Sequence, residues 1–430
     1  MTRSARWPAL AILVAASVAA AVSFANPPRA AAAETVLIPM DVAQTDHLKA
    51  YGLAYYALSQ GLVVEWVLNY RAGSFLIPAT EFIDRKARLW GVTMERVDDA
   101  GYAAIKATVE ASNMEIVRLE KAPRVAIYSP PNKQPWDDAV TLALTYSEIP
   151  YTTLWDKEAL SGSLPEYDWL HLHHEDFTGQ YGKFFASFRN EEWYQRDVAT
   201  SEHLAREAGY SKVSEHKKAV SRSIKEFVAQ GGFLFAMCSA TDTYEIALAA
   251  AKTDLCDVMM DGDPPDPGAQ AKLDYEKCLA FRSFRLEMNP LVYEFSDIDV
   301  SDYPGRSADE DAFTLFEFSA KFDPVPAMLT QDHTALVPGF LGQTTAFHRR
   351  VLNPSVLVLG EKEGTDEIKY LHGNFGKGTF TYLGGHDPED YQHAVGDPPT
   401  DLSLHKNSPG YRLILNNILF PAAKKQERKT

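Results

Sequence analysis

Between Arg124 and Ala251, strand-length apolar runs alternate with helix-period faces, and few architectures accept that rhythm. Arg124 to Tyr128, Tyr151 to Leu154, Tyr167 to Leu172 and Phe233 to Met237 have the length and composition of strands, whereas Trp136 to Ser147 has the spacing of an amphipathic helix. Val213 to Gln230 places Val220, Ile224, Phe227 and Val228 on one helical face, and Gly231-Gly232 closes it. Strands and helices in this order imply right-handed crossovers, hence an α/β fold with a doubly wound, mainly parallel sheet.

Four further regions flank that core. Residues 34–121 read as an N-terminal α/β region leading into the main sheet, with strands near Val36 to Met40 and Leu62 to Leu68 around a helix at Thr45 to Gln60. The core proper begins at 122 and its first part ends near 251. Residues 252–355 break the rhythm with the turn-rich Asp261 to Gly268, and read as an insertion, largely β and loops, with strands at Phe281 to Phe295 and Phe313 to Phe318. The core resumes over 356–423 with strands at Val356 to Gly360, Ile368 to His372 and Gly378 to Leu383 and a helix at Pro409 to Leu419; 424–430 is a basic tail.

Residues 1–33 carry Arg3 and Arg6, an apolar run from Ala9 to Val22, and Ala31-Ala32-Ala33 before Glu34. This reads as an export leader cleaved after Ala33, and the mature chain is expected in the periplasm or outside the cell. No stable membrane insertion is expected after cleavage, because the run falls short of the about 20 residues of a bilayer span. Loss of Arg3, Arg6 and Arg29 moves the formal charge from −16 to −19. That balance argues against nucleic acid and against anionic lipid as partners, and leaves a small polar molecule. Lys424, Lys425, Arg428 and Lys429 read as a solvated tail. Three cysteines are too few for a disulfide framework; a Cys256–Cys278 bridge with Cys238 free, and three reduced thiols, both stay open.

Three constellations carry chemistry. In Gly231 to Thr243 an apolar strand ends on Cys238 and a small, polar helix start follows, with Asp242 in its first turn as a candidate substrate contact. A thiol there feels the helix dipole, and Ala236 and Ala240 allow the sharp turn of a nucleophile elbow; a buried structural cysteine is the alternative. After the strand ending at Leu383, Gly384-Gly385 brings His386 round as a base, with Asp387 or Glu389 to orient it. His171 to Asp176 ends a third strand in histidines and acids. His173, His174, Glu175 and Gly179 are read as a substrate-contacting or oxyanion loop; a metal is the lesser reading, and no metal or cofactor is assigned.

These segments carry a resemblance. Gly231 to Tyr244 (GGFLFAMCSATDTY) resembles trehalose-utilisation (ThuA-like) proteins, in which a double glycine and apolar strand precede a histidine and an ATDTF-like run. Gly376 to Gly378, Tyr382 to His386 and Pro388-Glu389 are similar to that family's late strand and glycine–histidine turn. The family belongs to the class I glutamine amidotransferase-like, flavodoxin-like folds, whose enzymes use a cysteine elbow with a histidine and a glutamate. The resemblance puts Cys238 at the nucleophile, His386 at the histidine and Glu389 at the acid. This chain has Ala236 and Ala240 where the amidotransferases carry glycines, and Pro388 where their acid stands.

Nearly the whole mature chain is also similar to an exported bacterial family commonly labelled asparagine synthetase B. The likeness runs through IPMD (Ile38 to Asp41), HLKAYG (His47 to Gly52), NKQPWDDAVTL (Asn132 to Leu142), DWLHLHHEDFTGQYG (Asp168 to Gly182), GGHDPEDYQH (Gly384 to His393) and Val395 to Asn417. The SGGxDS loop of an ATP-pyrophosphatase domain does not occur in it. Two functions follow as expectations. One is an exported cysteine-dependent amide or ester hydrolase using Cys238 with His386. The other is a non-catalytic domain of ThuA-like type that binds a small, sugar-like ligand.

Overall fold

The computed structural model describes Met1, Thr2 and residues 34–300 and 305–423; the expected leader (but for Met1 and Thr2) and the basic tail lie outside the described residues. The N-terminal region forms β1 (Thr35–Ile38), β2 (Val64–Leu68), β3 (Ser74–Pro78), β4 (Glu95–Val97) and β5 (Glu115–Leu119). Their order is β4-β1-β3-β2-β5 and every pairing is antiparallel. This region was expected to lead into the main sheet and instead has a sheet of its own. The link from β2 to β3 is five residues long, enough for a hairpin and too short for the crossover a parallel pair needs.

The second sheet holds β6 (Val125–Tyr128), β7 (Tyr151–Leu154), β8 (Trp169–Leu172), β9 (Phe233–Met237), β10 (Phe313–Leu315), β11 (Leu336–Val337), β12 (Phe347–His348), β13 (Leu357–Glu361), β14 (Glu367–Phe375) and β15 (Gly378–Leu383). One half is parallel, in the order β7-β6-β8-β9-β15. The other half continues through β14, β13, β10 and β11 in antiparallel pairs, with β12 beside β14. The fold is thus mixed α/β with a mixed sheet rather than a mainly parallel one. Only Gly376 and Lys377 separate β14 from β15, so these strands close as a hairpin. The strands expected between Phe281 and Phe295 are absent from the described structure; that stretch holds only isolated bridges, Phe281 to Leu352 and Leu286 to Ser296.

Alternation along the parallel strands divides the interior. Phe233, Phe235 and Met237 face one core with Tyr51, Leu144, Leu413 and Ile414, whereas Leu234 and Ala236 face another with Val220, Ile224 and Tyr244. Helices His47–Ser59, Ala139–Tyr146 and Pro409–Leu419 therefore cover one face, and Val213–Gln230 and Ala240–Ala249 the other. Helix Val213–Gln230 ends as its sequence requires, on Gly231 at φ 124°.

Helix Pro409–Leu419 is buried from Gly410 to Leu419 and joins the layers. The Arg412 guanidinium, fully buried, donates to the carbonyls of Met40 and Ala72 at 2.9 Å, and Asn416 Nδ2 donates to the Gln331 carbonyl at 2.8 Å. Buried amide and guanidinium groups are stable only with such partners. The described residues between 34 and 423 fall in one compact unit.

Burial also sets the response to acid. His372 on β14 is enclosed, its Nδ1 3.0 Å from Thr381 Oγ1, and burial pushes its pKa down from 6.5 to about 4. The unfolded chain therefore takes the proton first, and this group's contribution to stability is lost as pH falls from 6.5 towards 4. In urea titrations, His372→Gln should gain about 2 kcal/mol relative to the parent between roughly pH 7 and pH 5; a pH-independent difference would refute a neutral buried imidazole.

Candidate functional site

Four parallel strands, β6, β8, β9 and β15, end at one edge, and the residues following them form the site. Cys238 follows β9 with φ 47°, a left-handed conformation that costs a non-glycine residue about 1–2 kcal/mol. Hydrogen bonds hold it there. The Cys238 N–H donates to the Gly385 carbonyl at 3.1 Å, and the Thr241 N–H and hydroxyl donate to the Cys238 carbonyl at 3.1 and 2.7 Å. Helix Ala240–Ala249 begins two residues on, so the thiol stands on a tight strand-to-helix turn.

The loop 341–345, carried by the insertion, closes on that turn. The Gly385 N–H donates to the Thr344 carbonyl and the His386 N–H to the Leu341 carbonyl, each at 2.8 Å. Gly342 is needed for the approach, since a Cβ there would lie 2.8 Å from the His386 nitrogen. The Gln343 N–H donates to Cys238 Sγ at 3.3 Å, while its side-chain Nε2 donates to the carbonyls of Gly182 and Tyr293 at 2.8 and 3.0 Å. Burial pushes the Cys238 thiol above the usual cysteine range, and the backbone N–H groups of Gln343, Ser239 and Thr344 pull it part of the way back. The sulfur thus rests as a thiol in a nest of donors.

A file of three histidines reaches the same place from β8. His171 Nδ1 lies 3.0 Å from the Phe235 carbonyl, His171 Nε2 lies 3.1 Å from His173 Nδ1, and His173 Nε2 lies 3.1 Å from His386 Nδ1. A carbonyl only accepts, so the proton of neutral His171 sits on Nδ1. Its Nε2 must then accept from His173 Nδ1–H, and His173 Nε2 from His386 Nδ1–H. His386 Nε2 is left as a bare lone pair, and it is buried without a hydrogen-bond partner. Burial holds all three below the usual imidazole range; for His386 the His173 and His393 rings add to this, while the Asp138 carboxylate and the Asp137 backbone carbonyl act against it. Asp138, the N-cap of helix Ala139–Tyr146, lies 3.6 Å from His173 Nδ1 and 3.7 Å from His171 Nε2.

Cys238, His386 and His174 line one cavity of about 220 Å³, together with Trp136, Phe184, Tyr293, Gln343 and His393. His174 is held neutral, its pKa pushed down to about 3 by burial and then by His386. His173 stands behind the wall. Glu175 and Gly179 line a smaller neighbouring pocket instead, where burial raises the Glu175 carboxyl to about 8. Gly179 packs on Ser214 and does not line the cavity that holds Cys238. Asp242, in the first turn of helix Ala240–Ala249, accepts from the Ser296 hydroxyl at 2.9 Å, and burial raises it to about 7. Asp387 accepts from the hydroxyls of Thr400 and Tyr411 at 2.7 and 2.9 Å and so anchors the turn. Glu389 is not beside His386: its carboxylate pairs with His405 at 2.7 Å, because Pro388 turns the chain away before it.

Sequence reading missed Asp137 and His393. Each belongs to a loop that only the tertiary fold brings to His386, and the one available signal was their place within the NKQPWDDAVTL and GGHDPEDYQH strings that carry the whole-chain resemblance. Three sets of side chains approach closely enough to share an ion: Asp137 with His386 and His393, His173 with His174 and His386, and Asp138 with His171 and His173. A larger cavity, of about 710 Å³, opens at the opposite edge of the same strands, beside Gly232 and Gly378. It is lined by Lys121, Arg124, Asp168 and Lys377, and by no cysteine or histidine. The three cysteines are free, which removes the Cys256–Cys278 bridge; Cys256 and Cys278 donate separately to the Thr178 and Glu245 carbonyls.

No family model matches the chain, and no curated protein does. Among solved structures it is similar to two cytoplasmic proteins from Salmonella typhimurium. One is 12% identical with a TM-score of 0.34, over 70% of this chain and 100% of that one; the other is 11% identical with a TM-score of 0.34, over 72% and 91%. A GH42 beta-galactosidase from G. stearothermophilus, in a catalytic-mutant form, is 12% identical with a TM-score of 0.27, over 61% of this chain and 27% of its own. At these scores the site is read from its own geometry. Among the described residues no membrane-spanning helix occurs: none is long and apolar enough.

The protonated resting thiol has a direct consequence. Iodoacetamide labelling of Cys238, followed by peptide mass spectrometry, should accelerate with pH through and beyond the ordinary cysteine range. A plateau already reached near neutrality would show a resting thiolate–imidazolium pair and contradict this electrostatic account.

Proposed function

We propose that this protein is a cysteine-dependent amide or ester hydrolase of class I glutamine amidotransferase-like fold, acting on a small polar substrate. The observation that carries the reading is the lone pair of His386 Nε2, presented by the histidine file to the cavity that Cys238 lines. The order β7-β6-β8-β9-β15 supports the fold assignment, since it is the 2-1-3-4-5 order of flavodoxin-like sheets, with helices on both faces. The turn at Cys238 supports the assignment of the nucleophile. The leader at residues 1–33 and the ThuA-like strings support an exported member of this group.

In this reading the Cys238 S–H proton passes to His386 Nε2 as the sulfur attacks the substrate carbonyl and a C–S bond forms. The imidazolium keeps its Nδ1–H on His173 and is stabilised by Asp138, which takes the electrostatic part expected of Glu389. The backbone N–H groups of Ser239, Gln343 and Thr344 are the nearest donors for the oxyanion. His386 then returns its proton to the departing amine or alcohol, and water, deprotonated by the same nitrogen, releases the acid. The cavity of about 220 Å³ restricts the substrate to a small molecule.

A second reading, a non-catalytic site for a small sugar-like ligand, is favoured by the aromatic wall of Trp136, Phe184 and Tyr293. An electrophilic glutamine analogue separates the two. On the first reading it leaves one adduct, on Cys238, and His386→Ala slows its formation by about 10²–10⁴-fold. Absence of the adduct, or equal rates in the two proteins, would favour the binding site.

A further inference from the structure

Beside the thiol, several buried polar atoms face one another without partners. His386 Nε2, His393 Nε2, His174 Nδ1 and both carboxylate oxygens of Asp137 lack a hydrogen bond. His393 is the telling case. Its Nδ1 lies 2.9 Å from Asp390 Oδ2, and a carboxylate there takes the Nδ1–H and leaves Nε2 as an acceptor. That acceptor stands 3.1 Å from Asp137 Oδ1, in contact yet without hydrogen-bond geometry, and the His393 side chain is only 4% exposed. Two acceptors in such a setting repel unless a proton or a metal cation lies between them, and the missing hydrogen-bond geometry speaks for the metal. His386, 7% exposed, adds a third acceptor, its ring stacked on His393 with centroids 4.6 Å apart.

We propose that Asp137, His386 and His393 bind a divalent transition-metal ion of the zinc class. Two imidazoles and one carboxylate, with ligand atoms all within 4.8 Å of one another, make a three-residue set with open positions. Those positions face the cavity, where His174 lies nearby, its ring centroid 5.8 Å from that of His386. Each imidazole has an outer partner that fixes its tautomer with Nε2 free: Asp390 for His393 and His173 for His386. The inference goes beyond the hydrolase reading and bears on its regulation. An ion on His386 Nε2 occupies the lone pair that takes the Cys238 proton, so zinc would hold the thiol unactivated.

The test uses the full mature chain, stripped with a chelator and titrated calorimetrically with Zn²⁺, and with Co²⁺ followed by its visible absorption. One equivalent should bind, with spectra of nitrogen and oxygen ligation. Cys238→Ala should bind equally well. His393→Ala, checked for folding by circular dichroism, should lose the site, and Asp390→Asn should weaken it by about 10–100-fold. No binding by the folded parent, or binding unchanged in both His393→Ala and Asp390→Asn, would overturn the proposal. Zn²⁺ should also slow trapping of Cys238 in the parent but not in His393→Ala. Calorimetry does not depend on thiol reactivity, so an inert Cys238 with zinc bound would fail the hydrolase and leave the metal site standing.

Discussion

One carbonyl group, that of Phe235 in the middle of β9, sets the polarity of the whole site. It can only accept, and the three imidazoles of His171, His173 and His386 must then order their protons in a single sense. Burial enforces the choice, because a charged imidazole in this interior is far costlier than a neutral one. The outcome is a neutral His386 with a bare, buried Nε2, on a residue that lines the cavity. In the proposed readings, proton transfer and ion binding compete for that one lone pair.

The rest of the fold keeps that atom and the sulfur in place. The strained turn at Cys238 is tied to Gly385, Gly385 to Thr344, and Gln343 back to the sulfur, which links a parallel strand, a late hairpin strand and a loop of the insertion in one short circuit. Lys369, buried, donates to the Thr345 carbonyl at 2.8 Å and to that of Phe340, and burial pushes its pKa down to about 7. Helix Pro409–Leu419 supports the circuit from below through Tyr411 and Asp387. The insertion is therefore part of the edge that carries Cys238 and His386, not an ornament on a finished domain.

Much of this was legible in the residues. Helix Val213–Gln230, strand β9 and the glycine end between them follow from local apolar period and capping, which act over a few residues. Cys238 and His386 were legible because strand ends in α/β proteins collect chemistry. The sense of β13 to β15 was not, since pairing direction depends on which chain comes alongside. Glu389 pairs with His405 for a related reason: proximity in sequence to His386 said nothing about where Pro388 would send it, and Asp138, more than two hundred residues earlier, stands near the file instead. Asp137 and His393 lie in loops without periodicity, and only closure of the fold brings them together.

The ordering of protons along the histidine file is the claim on which both the base and the metal ligand stand, and nitrogen-15 NMR of imidazole-labelled, metal-free protein reads it directly. His171, His173 and His386 should each appear as the neutral Nδ1–H tautomer near neutral pH, with His386 Nε2 showing the shift of an unprotonated nitrogen. A proton on His386 Nε2, or a charged imidazolium at any of the three, would contradict the account.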